Sequence, residues 1–116
     1  MLEKQNISVI EVINSEGALT PTAGDKLFNK IVEYLEKNIK VTVDFNNIKY
    51  INTAFLNAAI GQLYNSYTSE VLNNYIQFGN ISESDLIIFK KVIDRAREYF
   101  INKKSSDERN KNFLNE

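Results

Sequence analysis

The chain has 116 residues, 43% hydrophobic and 25% charged, with a formal net charge of -1, which fits one ordinary globular domain with a core of its own. That balance exerts no overall pull toward nucleic acid or acidic membranes. Cysteine and histidine are both absent, so disulfides, thiolate nucleophiles, Cys/His zinc sites and Ser–His or Cys–His catalysis are excluded. Residues 1–10 lack the apolar run and small-residue cleavage site of a secretory signal. No segment is apolar for long enough to span a bilayer, and the cytoplasm is the expected location.

Ile7 to Ile13 is mostly apolar without clean alternation. Apolar residues on both faces predict a strand buried on two sides, and Asn14-Ser15-Glu16-Gly17 reads as a turn. Thr20 as a cap and Pro21 at the first helical position predict a helix start, with Thr22 and Asp25 offering a competing one. Leu27, Ile31 and Leu35 form its buried stripe, widened by Phe28 and Val32, and Asn38 is the expected stop. Ile39 to Phe45 is rich in β-branched residues and predicts a strand. Asn46-Asn47 turns the chain, and Ile48, Tyr50 and Ile51 make a short apolar link toward Thr53. A helix is expected over about Ala54 to Tyr64. Its small residues Ala54, Ala58, Ala59 and Gly61 permit close approach to the sheet or to a partner.

Tyr67 to Asn74 fits no single element, although Ser69 to Leu72 is compatible with a helical turn. Tyr75 to Phe78 predicts a third strand, broken by Gly79-Asn80. Ser82 with Asp85 predicts the start of a long helix. Leu86, Phe89, Ile93, Ala96 and Phe100 supply its buried stripe, and Lys90 with Asp94 is an i, i+4 pair of opposite sign. Beyond about Asn102 the apolar period disappears. The domain is therefore expected at 1–101, with 102–116 as a polar, mobile tail carrying the apolar pair Phe113-Leu114. Strands alternating with helices predict an α/β sandwich with a mixed or mostly parallel sheet and helices packed on it.

Few residues suggest chemistry. Asp44 lies near the carboxyl end of a predicted strand, where functional groups of α/β sheets gather; its ordinary reading is a turn-forming Asp bonded to the backbone of Asn46 or Asn47. Thr53 lies at a helix mouth, as a cap or as a site where a phosphate is welcome. Asn52 competes with it for the capping role, and Ser69 and Ser82 are cap-like hydroxyls of the same kind. Tyr64 and Tyr67 are either an interaction face or the rim of the core. Asp25 and Asp44 are the carboxylates available for a magnesium-dependent enzyme. Gly17, Gly24, Gly61 and Gly79 are scattered, so no phosphate-cradling loop exists, and no cofactor is implied. Self-association through the 82–102 helix or the Tyr64/Tyr67 region is a further alternative.

The run from Val41-Thr42-Val43-Asp44-Phe45 through Asn52-Thr53-Ala54-Phe55 to Gly61 resembles the central segment of STAS domains, the domains of anti-sigma factor antagonists and sulfate transporter tails. There a strand ends in an acid, a short apolar link follows, and Asp-Ser-Ser-Gly-Leu opens a helix. A closer resemblance is to the uncharacterised STAS-like family in which phenylalanine follows the hydroxyl segment. By position Asn52 stands at the motif's acid, Thr53 at its first serine, Ala54 at the second and Phe55 at the glycine. In the antagonists that first serine is phosphorylated by a GHKL-type ATPase partner, which switches binding off. The resemblance thus implies a non-enzymatic regulatory module with a GHKL-type ATPase or kinase-like protein partner and no nucleic-acid or membrane partner. Thr53 is its phosphoacceptor candidate, and Asp44, Asn52, Thr53, Ala54, Phe55 and Asn57 are its partner-binding residues.

Overall fold

A computed structural model describes residues 4–114, with side-chain surroundings through Tyr99. The elements run β1 (Lys4–Ser8), α1 (Val9–Ile13), β2 (Gly17–Ala18), α2 (Pro21–Leu35), β3 (Lys40–Asp44), β4 (Tyr50–Ile51), α3 (Thr53–Leu56), a π-helical segment (Asn57–Gly61), α4 (Leu63–Ser66), α5 (Ser69–Tyr75), β5 (Ile76–Gly79) and α6 (Glu83–Leu114). Two parallel sheets form, one ordered β1-β3-β5 and a small one pairing β2 with β4. The α/β architecture with helices packed on a parallel sheet is the expected one.

The main sheet buries one face. Gln5 and Ile7 register with Val41 and Val43, which register with Ile76 and Phe78; Ile7, Val41, Val43 and Ile76 are buried. The alternate residues Asn6, Thr42 and Gln77 are exposed or half-exposed. The sheet therefore has a dry face under the helices and a polar face, a pattern that period-two alternation encodes directly.

The predicted Ile7–Ile13 strand is the clearest correction. The strand ends at Ser8, and Val9–Ile13 turns into a short helix. Val9 and Ile13, four residues apart, are its buried positions, and Asn14 closes it in the left-handed region at φ 55°. A segment apolar on both faces of a strand is also apolar along one side of a helical turn, and packing decides between them.

Helix α2 begins where expected. The Thr20 hydroxyl accepts from the Ala23 amide at 3.1 Å, Pro21 holds the first position, and Leu27, Ile31 and Leu35 are buried. The competing start at Thr22 is not used. Asn38 adopts φ 58° just beyond the helix, a conformation Asn tolerates better than most residues. The small residues of the next helix pack on α2 rather than on the sheet. A Cβ at Gly24 would lie 2.5 Å from the Phe55 carbonyl oxygen and 2.7 Å from the Ala58 Cβ, so only glycine fits this crossing.

The helix expected over Ala54–Tyr64 starts at Thr53 and is not uniformly α. Its middle turn widens, with the Gln62 amide reaching back five residues to the Asn57 carbonyl at 3.1 Å. The Gln62 side chain donates to the Ala58 carbonyl at 2.8 Å and to Asp25 Oδ1 at 2.7 Å, clasping this turn to α2. Tyr67–Asn74 resolves mostly into α5, capped by Thr68, whose hydroxyl accepts from the Val71 amide at 3.2 Å.

Helix α6 is capped by Ser82, as the sequence predicts, with its hydroxyl accepting from the Asp85 amide at 3.2 Å. Its contact face is Phe89 and Val92, with Ile93 and Ala96 half-buried beside them. Leu86, expected in that stripe, is 49% exposed, because it lies a turn before the face that meets the body. Phe89 stacks edge-on against Phe45 and Phe78, with centroids 5.1 and 5.5 Å apart. The backbone stays helical to Leu114, past the expected end of regular structure near residue 101. Loss of apolar period removes a packing face, not helix propensity, and no Gly or Pro interrupts Glu83–Leu114. The expectations for the side chains of Phe100, Phe113 and Leu114 fall outside the described residues. Among the described residues no helix is long and apolar enough to cross a membrane.

Candidate functional site

The β4–α3 junction is built by backbone pairing with the chain entering α2. The Lys49 and Tyr50 amides donate to the Glu16 carbonyl at 2.9 and 3.3 Å, and the Asn52 amide donates to the Ala18 carbonyl at 3.2 Å. Asn52 itself is extended, at φ -139° and ψ 174°. Its Oδ1 accepts from the Phe55 amide at 3.0 Å, and its Nδ2 donates to the Leu19 carbonyl at 3.0 Å. One side-chain amide thereby caps the new helix and ties it to the chain entering the neighbouring one. A threonine hydroxyl at this position has no NH2 group to make the second bond.

Asn52 therefore takes the capping role for which Thr53 was the other candidate. Thr53 becomes the first helical residue. It is exposed, and among the described residues its hydroxyl has no hydrogen-bond partner. Ala54 and Asn57 are exposed beside it. Phe55 is different: expected among the partner-binding residues, it is 0% exposed. It points into the core from the third helical position, with Leu56, also 0% exposed, beside it, so no partner can touch its ring without unfolding the helix.

Two large apolar side chains flank this junction in the open. Leu19 is 44% exposed and Tyr50 is 64% exposed. Sequence reasoning singled out neither as a contact residue, although a signal for Leu19 existed. The residue before a helix cap ordinarily packs on the fourth helical residue. Here Thr20 caps, and the fourth residue is Gly24, which has no side chain to receive Leu19. Tyr50 lies in a two-residue strand whose other member, Ile51, is half-buried against the core. Beside them Lys49 Nζ and Glu16 Oε2 pair at 3.4 Å with both side chains more than half exposed, a contact worth little in solvent.

Asp44 belongs to another network. Its Oδ1 accepts from the Asn46 amide at 2.9 Å and from Asn80 Nδ2 at 2.7 Å. The Asn80 bond, then the Asn46 amide and more weakly Asn6, hold its carboxyl below 3.8, against a small opposing effect of burial. The turn-forming reading of Asp44 is thus realised, and the carboxylate additionally ties β3 to the β5–α6 loop. Asn80, at φ 57°, had no sequence signal beyond its place after Gly79. No hydrogen bond links Asp44 to Asn52, Thr53, Ala54 or Asn57 among the described residues.

Asp25 is engaged by Gln62 and Asp44 by Asn80. The two carboxylates proposed together for a metal thus have separate partners on separate elements. Among the described residues no group of three or more acidic, His or Cys side chains is placed to hold a metal ion. Tyr64 is buried at 7% exposure and Tyr67 is half-buried, which makes them core and rim rather than an exposed aromatic face. Burial pushes the Tyr64 hydroxyl above 10.0, with Arg97 opposing and Asp94 reinforcing the shift.

The chain matches no curated protein and no solved structure. Residues 23–86 match the family model described as a STAS-like domain of unknown function (DUF4325). The match runs from the first turn of α2, through Asp44, Asn52 and Thr53, to the start of α6, and covers just over half of the 116 residues. This chain belongs to that STAS-like family.

Proposed function

We propose that the protein is a non-enzymatic regulatory module that binds a cytoplasmic protein partner through the β4–α3 junction. Thr53, Ala54 and Asn57 form the polar part of the contact, and Leu19 and Tyr50 supply the apolar anchors. The observation that carries this reading is an exposed Thr53 hydroxyl, unbonded among the described residues, flanked by the exposed apolar side chains Leu19 and Tyr50. Aromatic and aliphatic anchors of this kind supply most of the binding energy of protein interfaces. The STAS resemblance suggests the partner class, a GHKL-type ATPase or kinase-like regulator.

Phosphorylation of Thr53 would act as an off switch on this surface. A phosphate adds close to two negative charges. Leu19, Tyr50 and Ala54 carry none to compensate, so an apolar partner face would have to desolvate the phosphate or separate. The test is a calorimetric titration with the GHKL-type ATPase encoded nearest this gene. Leu19→Asp and Tyr50→Asp are each expected to weaken binding by tenfold or more. Undiminished affinity in both variants would remove this surface from the mechanism.

Self-association is a second reading, favoured by Leu86 and Ile87 on α6, which are 49% and 60% exposed. Light scattering across a dilution series tests it. A mass independent of concentration and equal to one chain would end it.

A further inference from the structure

A cavity of about 240 Å³ lies between α4, α5, β5 and α6, with Ile60 of the π-helical segment also lining it. Leu63, Leu72, Ile76, Phe78 and Ile93 give it apolar walls from α4, α5, β5 and α6, and among the described residues Arg97 is the cation lining it. Tyr64 also lines it. The Tyr64 ring is buried, yet its hydroxyl has no hydrogen-bond partner among the described residues and is not sealed from solvent. That hydroxyl is protonated at neutral pH, as any phenol is, so it stands as a donor. An apolar chamber with a guanidinium and a phenol on its wall suits one class of occupant. Arg binds carboxylates in fork geometry, and ligand sites are commonly apolar with a few polar groups that fix orientation.

We propose that this cavity binds a small monocarboxylate with a compact apolar body, its carboxylate held by Arg97 and its body seated among Leu63, Leu72, Ile76, Phe78 and Ile93. The volume is below the roughly 300–1,000 Å³ of sites for drug-sized ligands, which points to a fragment-sized acid rather than a long acyl chain. The neighbouring groove, on the other side of Phe78 and Ile93, carries Lys90 and Asp94 together and has no comparable preference for an anion. Asp94 also lies near Tyr64, since it acts on that hydroxyl, and it opposes a bound carboxylate.

Phenylacetate serves as the probe and phenylacetamide as its uncharged counterpart, titrated against the full chain with amide NMR as the readout. Saturable binding of phenylacetate, with shifts at Leu72 and Ile76 and at least tenfold preference over the amide, is the expected result. Arg97→Gln, an exposed substitution outside the core, should abolish that preference, and Asp94→Asn should strengthen phenylacetate binding severalfold. Three results would overturn the proposal: no saturable binding, equal binding of acid and amide by the wild-type chain, or shifts centred on Leu86 in the neighbouring groove. None of these measurements involves a protein partner, so their outcome is separate from that at Thr53.

Discussion

The two sides of the α3 helix and its π-helical continuation obey opposite rules. On the inner side Phe55, Leu56 and Ala59 are fully buried, and Gly24 meets the Phe55 carbonyl and Ala58 at distances that leave no room for a methyl group. On the outer side Thr53, Ala54 and Asn57 are exposed and set no such limit on size. Residues adjacent in sequence thus do different work. The inner set fixes where the helix lies, and the outer set is free to be chosen for something other than folding. Exposure of an unbonded hydroxyl means more when the helix beneath it cannot shift.

Substitutions break this contrast most strongly on the inner side. Phe55→Ala removes a wholly buried ring and should cost about 3–5 kcal/mol in a denaturant titration. A cost near zero would mean that Phe55 is not the anchor of this helix. Gly24→Ala forces the α2 crossing apart and should cost about 1–3 kcal/mol, although alanine favours helix in isolation. A stabilised Gly24→Ala would show that the crossing relaxes freely.

Asn52→Ala removes the cap and the bond to Leu19 together, with an expected loss of about 0.5–2 kcal/mol. Asn52→Asp keeps the capping oxygen, loses the donor to Leu19 and adds a charge that the helix N-terminus favours, so it should lie between alanine and wild type. An aspartate as destabilising as alanine would mean that the capping oxygen contributes nothing. Asp44 gives the smallest effect, and it depends on pH. Its folded carboxyl titrates below 3.8, so its stabilising contribution is complete above that value and is lost as pH falls through the folded pKa. Asp44→Asn should therefore narrow its deficit relative to wild type as the pH is lowered below 3.8, measured by the denaturation midpoint. A constant deficit would detach the Asn80 bond from ionisation.

Much of this arrangement is legible in the sequence. The Thr20-Pro21 start, the Leu27–Ile31–Leu35 stripe, the β3 strand and the Ser82 cap are local signals read by local rules, and packing did not override them. The failures share another cause. Val9–Ile13 is compatible with strand and helix alike, and only its contacts decide. On α6 the expected stripe holds at Phe89, Ile93 and Ala96 and fails at Leu86, because Leu86 and Phe89 are equally apolar and sequence does not say where the body ends. At the junction, Asn52 and Thr53 are indistinguishable as caps from sequence alone; the Leu19 carbonyl, 33 residues away, accepts from the Asn52 side-chain amide and so distinguishes them. Alignment with a motif glycine puts Phe55 among the partner-binding residues, whereas its size favours the core, where it lies. Leu19 and Tyr50 lie outside the STAS-like run, and Gly24, which has no side chain to receive Leu19, leaves it in the open.

The most direct test of the central claim measures stability and partner binding together in Thr53→Glu. A glutamate at the first helical position should leave folding within about 0.5 kcal/mol of wild type, while affinity for the neighbouring-gene ATPase falls at least tenfold. A Thr53→Glu chain that unfolds, or that binds the ATPase as tightly as wild type, would contradict the account of this surface.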